Sequence, residues 1–486
     1  MKKKFLIYGL LVGSLFASCE KMVEIEPKNQ ISPNVVFTDL NGFQAVLNSA
    51  YQRLIGFDYY GRDFQLMGDA LGDNIYTAVN LSGGRYNSVN INAPGAHYNI
   101  WGTAYLIINE VNLILDKIDA LSVPASKTAD KARVKAQALA LRALVYFDLA
   151  RVYGYEPSTI PTTGPGANFN KSVVLRLKGT DDVTKATPMV RATVQEVYKS
   201  IMDDLTASIN IFNTLTVSTT ASSAYTLNKA AAYALRGKVQ LYERKYLEAI
   251  ADFDVAMTPA NTQARLATNY VGAFAAATNT ESLFELVITP ATQMANVTGP
   301  NSSLYSYTHP TNAGPTPMST YGGQTASDEL FALFETTDQR YAMFFKQGSP
   351  IRTWSHKYSG ARAVYTDNIP VIRYADVLLM KAEAQAGLTQ YVNASNTVKT
   401  LRTARSASTA GVPTDATVVS YIQDERRREL FFEGHRWFDL KRLGNGITKP
   451  AAIAGGTIPT NDHRLLAPLP TTEVQLFPAL PQNPNY

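Results

Sequence analysis

The stretch Asp424–Leu443, DERRRELFFEGHRWFDLKRL, is the densest charged and aromatic segment of the chain. Read as one helix, Leu430, Phe431, Gly434, Trp437, Phe438 and Lys441 recur at steps of three and four. That spacing puts Leu, Phe, Trp and Phe on one face, where the small Gly434 lets a neighbouring element approach closely. Glu425, Glu429 and Glu433 stand at ion-pair spacing from the run Arg426, Arg427, Arg428. The expectation is an anchor helix with one face plugging a core and a rim that carries a charge network. His435, close to Glu433 and Asp439, could suggest catalysis. No HExxH spacing and no second ligand cluster accompanies it, so hydrogen bonding within the packing is the stronger reading.

Helical periodicity continues on either side. Asp39–Leu54 has a capping Asp39 and an inner stripe of Phe43, Val46, Leu47, Ala50, Tyr51 and Leu54. Trp101–Ile118, Lys131–Tyr153 and Arg191–Phe212 are further helices, with Gly154 ending the second of these. Asn228–Met257 has the small and aromatic spacing of a tetratricopeptide helix pair, with Lys245-Tyr246 at its turn. Val371–Gly387 with Val392–Arg405 reads as a second pair, and residues 135–153 with 193–212 as a third, split by an insertion. Such pairs stack to bury a continuous core and collect their insertions on one face.

Two insertions stand out. Residues 56–99 are rich in Gly, Asn and Tyr with poor periodicity, and residues 289–323 repeat that character. Long irregular segments in a globular chain are usually functional. Trp354 and Tyr358 lie in RTWSHKY, which fits a strand, and the proline-rich C-terminus reads as extended chain lying against the body.

Composition bounds the rest. The 486 residues are 45% hydrophobic and 17% charged, ample for a large core. The formal charge of +5 includes Lys2, Lys3 and Lys4. Without them the chain is close to neutral, which argues against nucleic acid as a partner. Lys2–Lys4, the apolar run Phe5–Phe16 and small Ala17-Ser18 precede Cys19, the one cysteine of the chain. This is the layout of a lipoprotein signal peptide. The expected organisation is a signal peptide over 1–18, a lipidated N-terminus and tether over 19–38, and a single domain over 39–486. Lipidation at Cys19 would anchor the protein to a membrane, since each buried acyl methylene contributes about 0.8 kcal/mol.

The lipobox, NGFQAVLNSAYQRL, WGTAYLIINEVNLIL, RALVYFDLARVYG, IPVIRYADVLLMKAEA, ERRRELFFEGHRWFDLKRLG and PLPTTEVQLFPALPQNPNY resemble, in order, elements of the SusD/RagB family of outer-membrane nutrient-binding lipoproteins. Phe477-Pro478 stands where that family more often has Asn-Pro. The resemblance implies an all-α dominated, SusD-like fold with tetratricopeptide-like helix pairs, long irregular ligand-binding loops and few short strands. It implies an outer-membrane location facing the exterior and a partner, a SusC-like TonB-dependent transporter over which the protein sits as a lid. It also implies oligosaccharide cargo, with oligopeptide as the alternative, and neither catalysis, cofactor nor metal.

Sugar faces stack on aromatic rings and their hydroxyls bond to Asp, Asn and Arg, whereas peptides bind through backbone hydrogen bonds. The candidate ligand residues are therefore Tyr59, Tyr60, Tyr76, Tyr86, Tyr98, Tyr305, Tyr307 and Tyr321, with Asp69, Asp73 and Asn74. Trp101, Trp354 and Trp437 read as packing residues, which weakens a starch-like tryptophan arc. A surface glycosidase would need two carboxylates across one cleft, and Asp69 and Asp73 sit in no such frame. A pure helical-repeat scaffold would not need tyrosine-bearing insertions.

Overall fold

A computed structural model describes residues 36–77, 84–182, 184, 186–217, 220–289, 303–310, 320–363, 365–453 and 456–486. Cys19, the expected signal peptide and nearly all of the expected tether lie outside them. The principal helices are α1 (Leu40–Leu54), α2 (Asp63–Leu71), α3 (Trp101–Lys117), α4 (Thr128–Tyr153), α5 (Val194–Phe212), α6 (Lys229–Tyr242), α7 (Tyr246–Met257), α8 (Leu304–Thr308), α9 (Tyr374–Gly387), α10 (Tyr391–Ala404), α11 (Val418–Leu430) and α12 (Arg436–Arg442). Strands β1 (Ile75–Thr77), β3 (Gln324–Ala326), β5 (Arg352–Ser355) and β4 (Phe344–Gln347) form an antiparallel sheet in that order. A separate pair joins β2 (Ser282–Leu286) to β6 (Ile369–Arg373).

Local sequence explains the helix starts. Asp39 accepts from the Gly42 N–H at 2.9 Å, and Thr193 with Glu196 forms a reciprocal capping box at the start of α5. The pairs α4/α5, α6/α7 and α9/α10 pack internally, and α5 meets α6 while α7 meets α9. The repeats therefore stack as one continuous layer. Gly237 on α6 faces the Phe253 ring of α7, where an added Cβ would lie 2.6 Å from a ring carbon. Trp101, Trp354 and Trp437 are buried, as their positions predict.

The segment 56–99 departs from the irregular loop expected there. It contains α2, in which Phe64 through Leu71 are all buried. At nine residues it is too short for a helical period to stand out from the Gly, Asn and Tyr around it.

The signature also differs from its reading as one helix. It breaks between α11 and α12, with Phe432 (φ 58°) and Gly434 (φ 75°) in the left-handed region. Distant side chains hold the break open by taking the last carbonyls of α11. Lys357 Nζ donates to the Glu429 and Phe431 oxygens (3.0 and 2.9 Å), Arg373 Nη2 to Glu429 O (3.1 Å), and the Tyr358 hydroxyl to Phe432 O (3.2 Å). These two cations and one hydroxyl supply the donors that another helical turn would have supplied. The break seats Gly434 against α2, where a Cβ would lie 2.3 Å from Phe64 O. The close approach expected of Gly434 is thus a backbone-to-backbone contact. Phe431 and Phe432 are fully buried beside it, each contributing roughly 1.5–3 kcal/mol.

Below the break lies a buried charge network. Arg373 meets Glu281 at 2.6 Å, Glu429 at 2.8 Å and Glu433 at 2.7 and 2.9 Å. Arg405 holds Glu281 (2.6 Å) and Glu429 (2.9 Å), and Arg340 holds Glu429 (3.0 Å). Burial disfavours the charged Glu429, but Arg405, Arg373 and Arg340 outweigh it and hold its carboxyl well below the usual range. The charges expected on a helix rim are in fact interior, and they tie α11 to β2, β6 and α10. His435 also joins this packing, 4.0 Å from Asp376.

Candidate functional site

The eleven candidate ligand residues separate into three groups. Tyr59 and Tyr60 stack at 4.9 Å, and both hydroxyls donate to Asp148 Oδ2, at 2.7 and 2.8 Å. Tyr98 stacks on Phe438 at 5.5 Å. All three are buried, and burial first, then Asp148 for Tyr59 and Tyr60, pushes their hydroxyls well above the ordinary phenol range. They join α2, α4 and α12 and present no ring face to a ligand.

Asp69, Asp73 and Asn74 grip the signature instead of facing outward. Asp69 accepts from Asn74 Nδ2 (2.5 Å) and the Gly434 N–H (3.2 Å), and burial pushes its carboxyl up to about 7. Asn74 Oδ1 accepts from Arg427 Nε at 2.6 Å. Asp73 binds Arg436 in a fork at 2.6 and 2.8 Å, and Arg436 and Arg427 draw its carboxyl down against the cost of burial. All three side chains expected on a ligand face are thus engaged by one another or by the signature. Their partners lie more than 350 residues along the chain for Asn74 and Asp73, a distance over which no local pattern signals pairing. Tyr305 is likewise packed, stacked on His309 at 4.0 Å, while His309 meets His356 at 3.0 Å. Tyr76 is half-buried beneath the Arg352 guanidinium, 4.1 Å from its ring centroid.

The third group converges on a surface ladder. Tyr307 from α8 and Tyr321 stack with centroids 5.5 Å apart and planes only 7° from parallel. Tyr86 meets Tyr307 edge-on at 5.5 Å and donates to Asp63 at 2.6 Å. The Arg62 guanidinium lies between the Phe57 ring (5.0 Å) and the Tyr307 ring (5.4 Å). Arg85 Nε donates to the Tyr307 hydroxyl at 2.9 Å. The ladder is open at both ends, since Phe57 is 40% and Tyr321 39% exposed.

Local backbone sets this geometry. Ser306 O accepts from the Tyr321 and Gly322 N–H groups (3.0 and 2.8 Å), and Ser306 Oγ accepts from the Tyr321 N–H at 3.0 Å. Gly322 (φ 65°) and Gly323 (φ 101°) then turn the chain into β3, a route open to glycine and strained for other residues. Sequence reasoning found Tyr86, Tyr307 and Tyr321 but passed over Phe57, Arg62 and Arg85. A signal for Arg85 existed: it is the one Asp, Glu, Lys or Arg between Asp73 and Glu110.

The exposed Tyr321 ring, stacked parallel on Tyr307 and edged by guanidinium and hydroxyl groups, can stack on a sugar face whose hydroxyls those groups bond. Among the described residues no group of three His, Cys, Asp or Glu could hold a metal, and no helix is long and apolar enough to cross a membrane.

Residues 324–486 match the model of the SusD family, and residues 25–241 match a second model described as "Starch-binding associating with outer membrane". Between them the two models cover most of the chain, which belongs to the SusD family. SusD-like protein P38 of Formosa agariphila is 27% identical, aligned over 96% of each chain. A SusD superfamily protein from Bacteroides thetaiotaomicron VPI-5482 shares the fold with a TM-score of 0.79 at 23% identity, over 92% of this chain and 100% of its own. A laminarin-binding SusD-like protein shares it at a TM-score of 0.70 and 22% identity, over 92% and 99%.

Proposed function

We propose that this protein is a non-catalytic glycan-capture protein of the bacterial outer membrane, tethered through Cys19 and acting as the lid of a SusC-like TonB-dependent transporter. Oligosaccharide is held on the Phe57–Arg62–Tyr307–Tyr321 ladder and passed to the transporter for import. The observation that carries the reading is the Tyr307–Tyr321 stack, with its outer ring open to solvent and its inner ring held by Arg85. A stack made only for packing would bury both rings, because exposing an aromatic face forgoes apolar burial. The family's starch-binding description and the laminarin-binding neighbour support glycan over peptide.

Titration calorimetry of the full chain against a panel of oligosaccharides and mixed peptides tests this. We expect glycan binding that weakens about fivefold to tenfold in Tyr321→Ala, the effect of losing about 1 kcal/mol of ring stacking. Stability should change by no more than about 0.5 kcal/mol. Peptide binding without glycan binding would instead make the protein a lid for peptide cargo.

A further inference from the structure

We infer that a cavity beyond the end of α4 binds a small oxyanion-bearing molecule, a phosphate or carboxylate carried on a body of sugar size. The cavity has a volume of about 380 Å³, within the range of small-molecule sites. It shares no lining residue with the ladder. Four stretches wall it: the loop that follows α4, the turn between α6 and α7 at Arg244, the end of α12 with Gly444 and Asn445, and the segment of Thr460, Asn461 and Leu465. Two hydroxyls in that wall, those of Tyr155 and Thr159, are buried without a hydrogen-bond partner. Tyr155 is 1% exposed. Folded proteins leave few buried polar atoms so, because each forgoes the bonds it made to water.

The charges around the cavity give its preference. No Asp or Glu lines it, whereas Lys441 and Arg244 do. Lys441 is matched within the protein: its Nζ donates to Arg151 O and Gly154 O, both at 2.6 Å, and lies 3.4 Å from Glu156 Oε1. The acids beside the lining residues are matched as well. Glu243 meets Lys245 at 3.1 Å, and Arg464 holds Asp462 through bonds of 2.6 and 2.9 Å. Arg244 is different. The turn sets its backbone at φ 60°, with its N–H donating to Leu241 O at 3.0 Å. Its side chain is exposed and has no acid partner among the described residues. The cavity therefore offers hydroxyl, amide and guanidinium donors, one unmatched positive charge and no carboxylate. Tyr155 is the only aromatic residue in the lining and is buried, so no ring face is presented for a sugar to stack on. An oxyanion needs only donors, and a guanidinium fork suits it.

The experiment titrates the full chain with glucose 6-phosphate, glucuronate and glucose, by calorimetry and ligand-observed NMR. We expect at least one of the two anions to bind about tenfold tighter than glucose, the effect of one charge-assisted contact. The gap should narrow at high salt. Which anion binds tells phosphate from carboxylate. Arg244→Gln should close the gap. Tyr155→Phe should weaken the anion about fivefold, the effect of one hydrogen bond, at an unchanged thermal midpoint of the ligand-free protein, since that hydroxyl bonds to nothing within it. Tyr321→Ala should leave the anion's affinity as it is. Glucose bound as tightly as both anions, no binding of any probe at millimolar concentration, or an affinity unchanged in Arg244→Gln or in Tyr155→Phe overturns the inference. A loss of anion binding in Tyr321→Ala would put the anion on the ladder and overturn it too.

Discussion

Around Glu429, three arginines are buried with every guanidinium facing carboxylates, and aromatic rings close over them: Tyr270 lies 4.6 Å from Arg405 and Phe274 5.4 Å from Arg373. Around Tyr307, Arg62 meets the Asp63 carboxylate and two rings and Arg85 meets the Tyr307 hydroxyl, but the outer rings, Phe57 and Tyr321, stay open to solvent. The difference lies in what water is left to do. In the first region it is excluded, so a missing partner leaves a bare charge in low dielectric. In the second the outer ring faces stay open to it. One region fixes the fold, and the other is placed by it.

The largest predicted effect breaks the first region. Arg373→Met leaves Glu281, Glu429 and Glu433 without their shared cation. Removing one partner of a buried ionic cluster costs about 3–5 kcal/mol. Denaturant unfolding should show a loss of that size. A change below about 1 kcal/mol would mean that the network contributes little and that apolar packing alone holds the signature.

A smaller effect tests the seam between the signature and α2. In Gly434→Ala the residue keeps a left-handed backbone at φ 75° while its Cβ meets Phe64 O. The expected cost is about 1–3 kcal/mol. Ligand affinity should fall with it only if α2, which begins at Asp63 beside Arg62, moves. Destabilisation with affinity unchanged would show that the ladder tolerates shifts of its scaffold.

The split between fold and face also explains what was legible in the chain. Helices with one wet side announced themselves through their stripes, and Asp39 and Gly154 marked ends correctly. Helix α2 did not, because its nine residues are too few for a period to stand out among the Gly, Asn and Tyr around them. The break in the signature was hidden because its cause, Lys357, Arg373 and Tyr358, lies far away in sequence. The tyrosines were recognised as a group, yet composition could not say which of them face outward. Tyr59 and Tyr60 are drawn inward by Asp148, a residue of α4 that sequence offers no reason to associate with them. Tyr321 stays out because the turn at Gly322 and Gly323 ends its strand of contacts. Arg85 was readable as the one Asp, Glu, Lys or Arg between Asp73 and Glu110, and only the ladder shows that it stands beside Tyr307.

The subtlest test concerns Asp69, on α2 beside Gly434. Burial raises its folded-state value to about 7, above the roughly 3.9 of an unfolded aspartate. Between about pH 4 and pH 7 the folded protein therefore holds a proton there that the unfolded chain has released. Stability from this group is fully present below about pH 4 and is lost as the pH rises toward 7. The slope from one such group is at most about 1.4 kcal/mol per pH unit. The buried histidines His97 and His435, both pushed down to about 3 by burial and nearby cations, act in the opposite sense below about pH 6.5. The comparison must therefore be made against wild type. Asp69→Asn keeps the shape and removes the proton, so the difference between variant and wild type should grow in the variant's favour as pH rises from 4 to 7. Unfolding midpoints at successive pH values measure it directly. A difference that stays flat would mean that Asp69 is ionised throughout, its charge satisfied by Asn74 and the Gly434 N–H, and the seam would then be a hydrogen-bonded anion site instead of a protonated one.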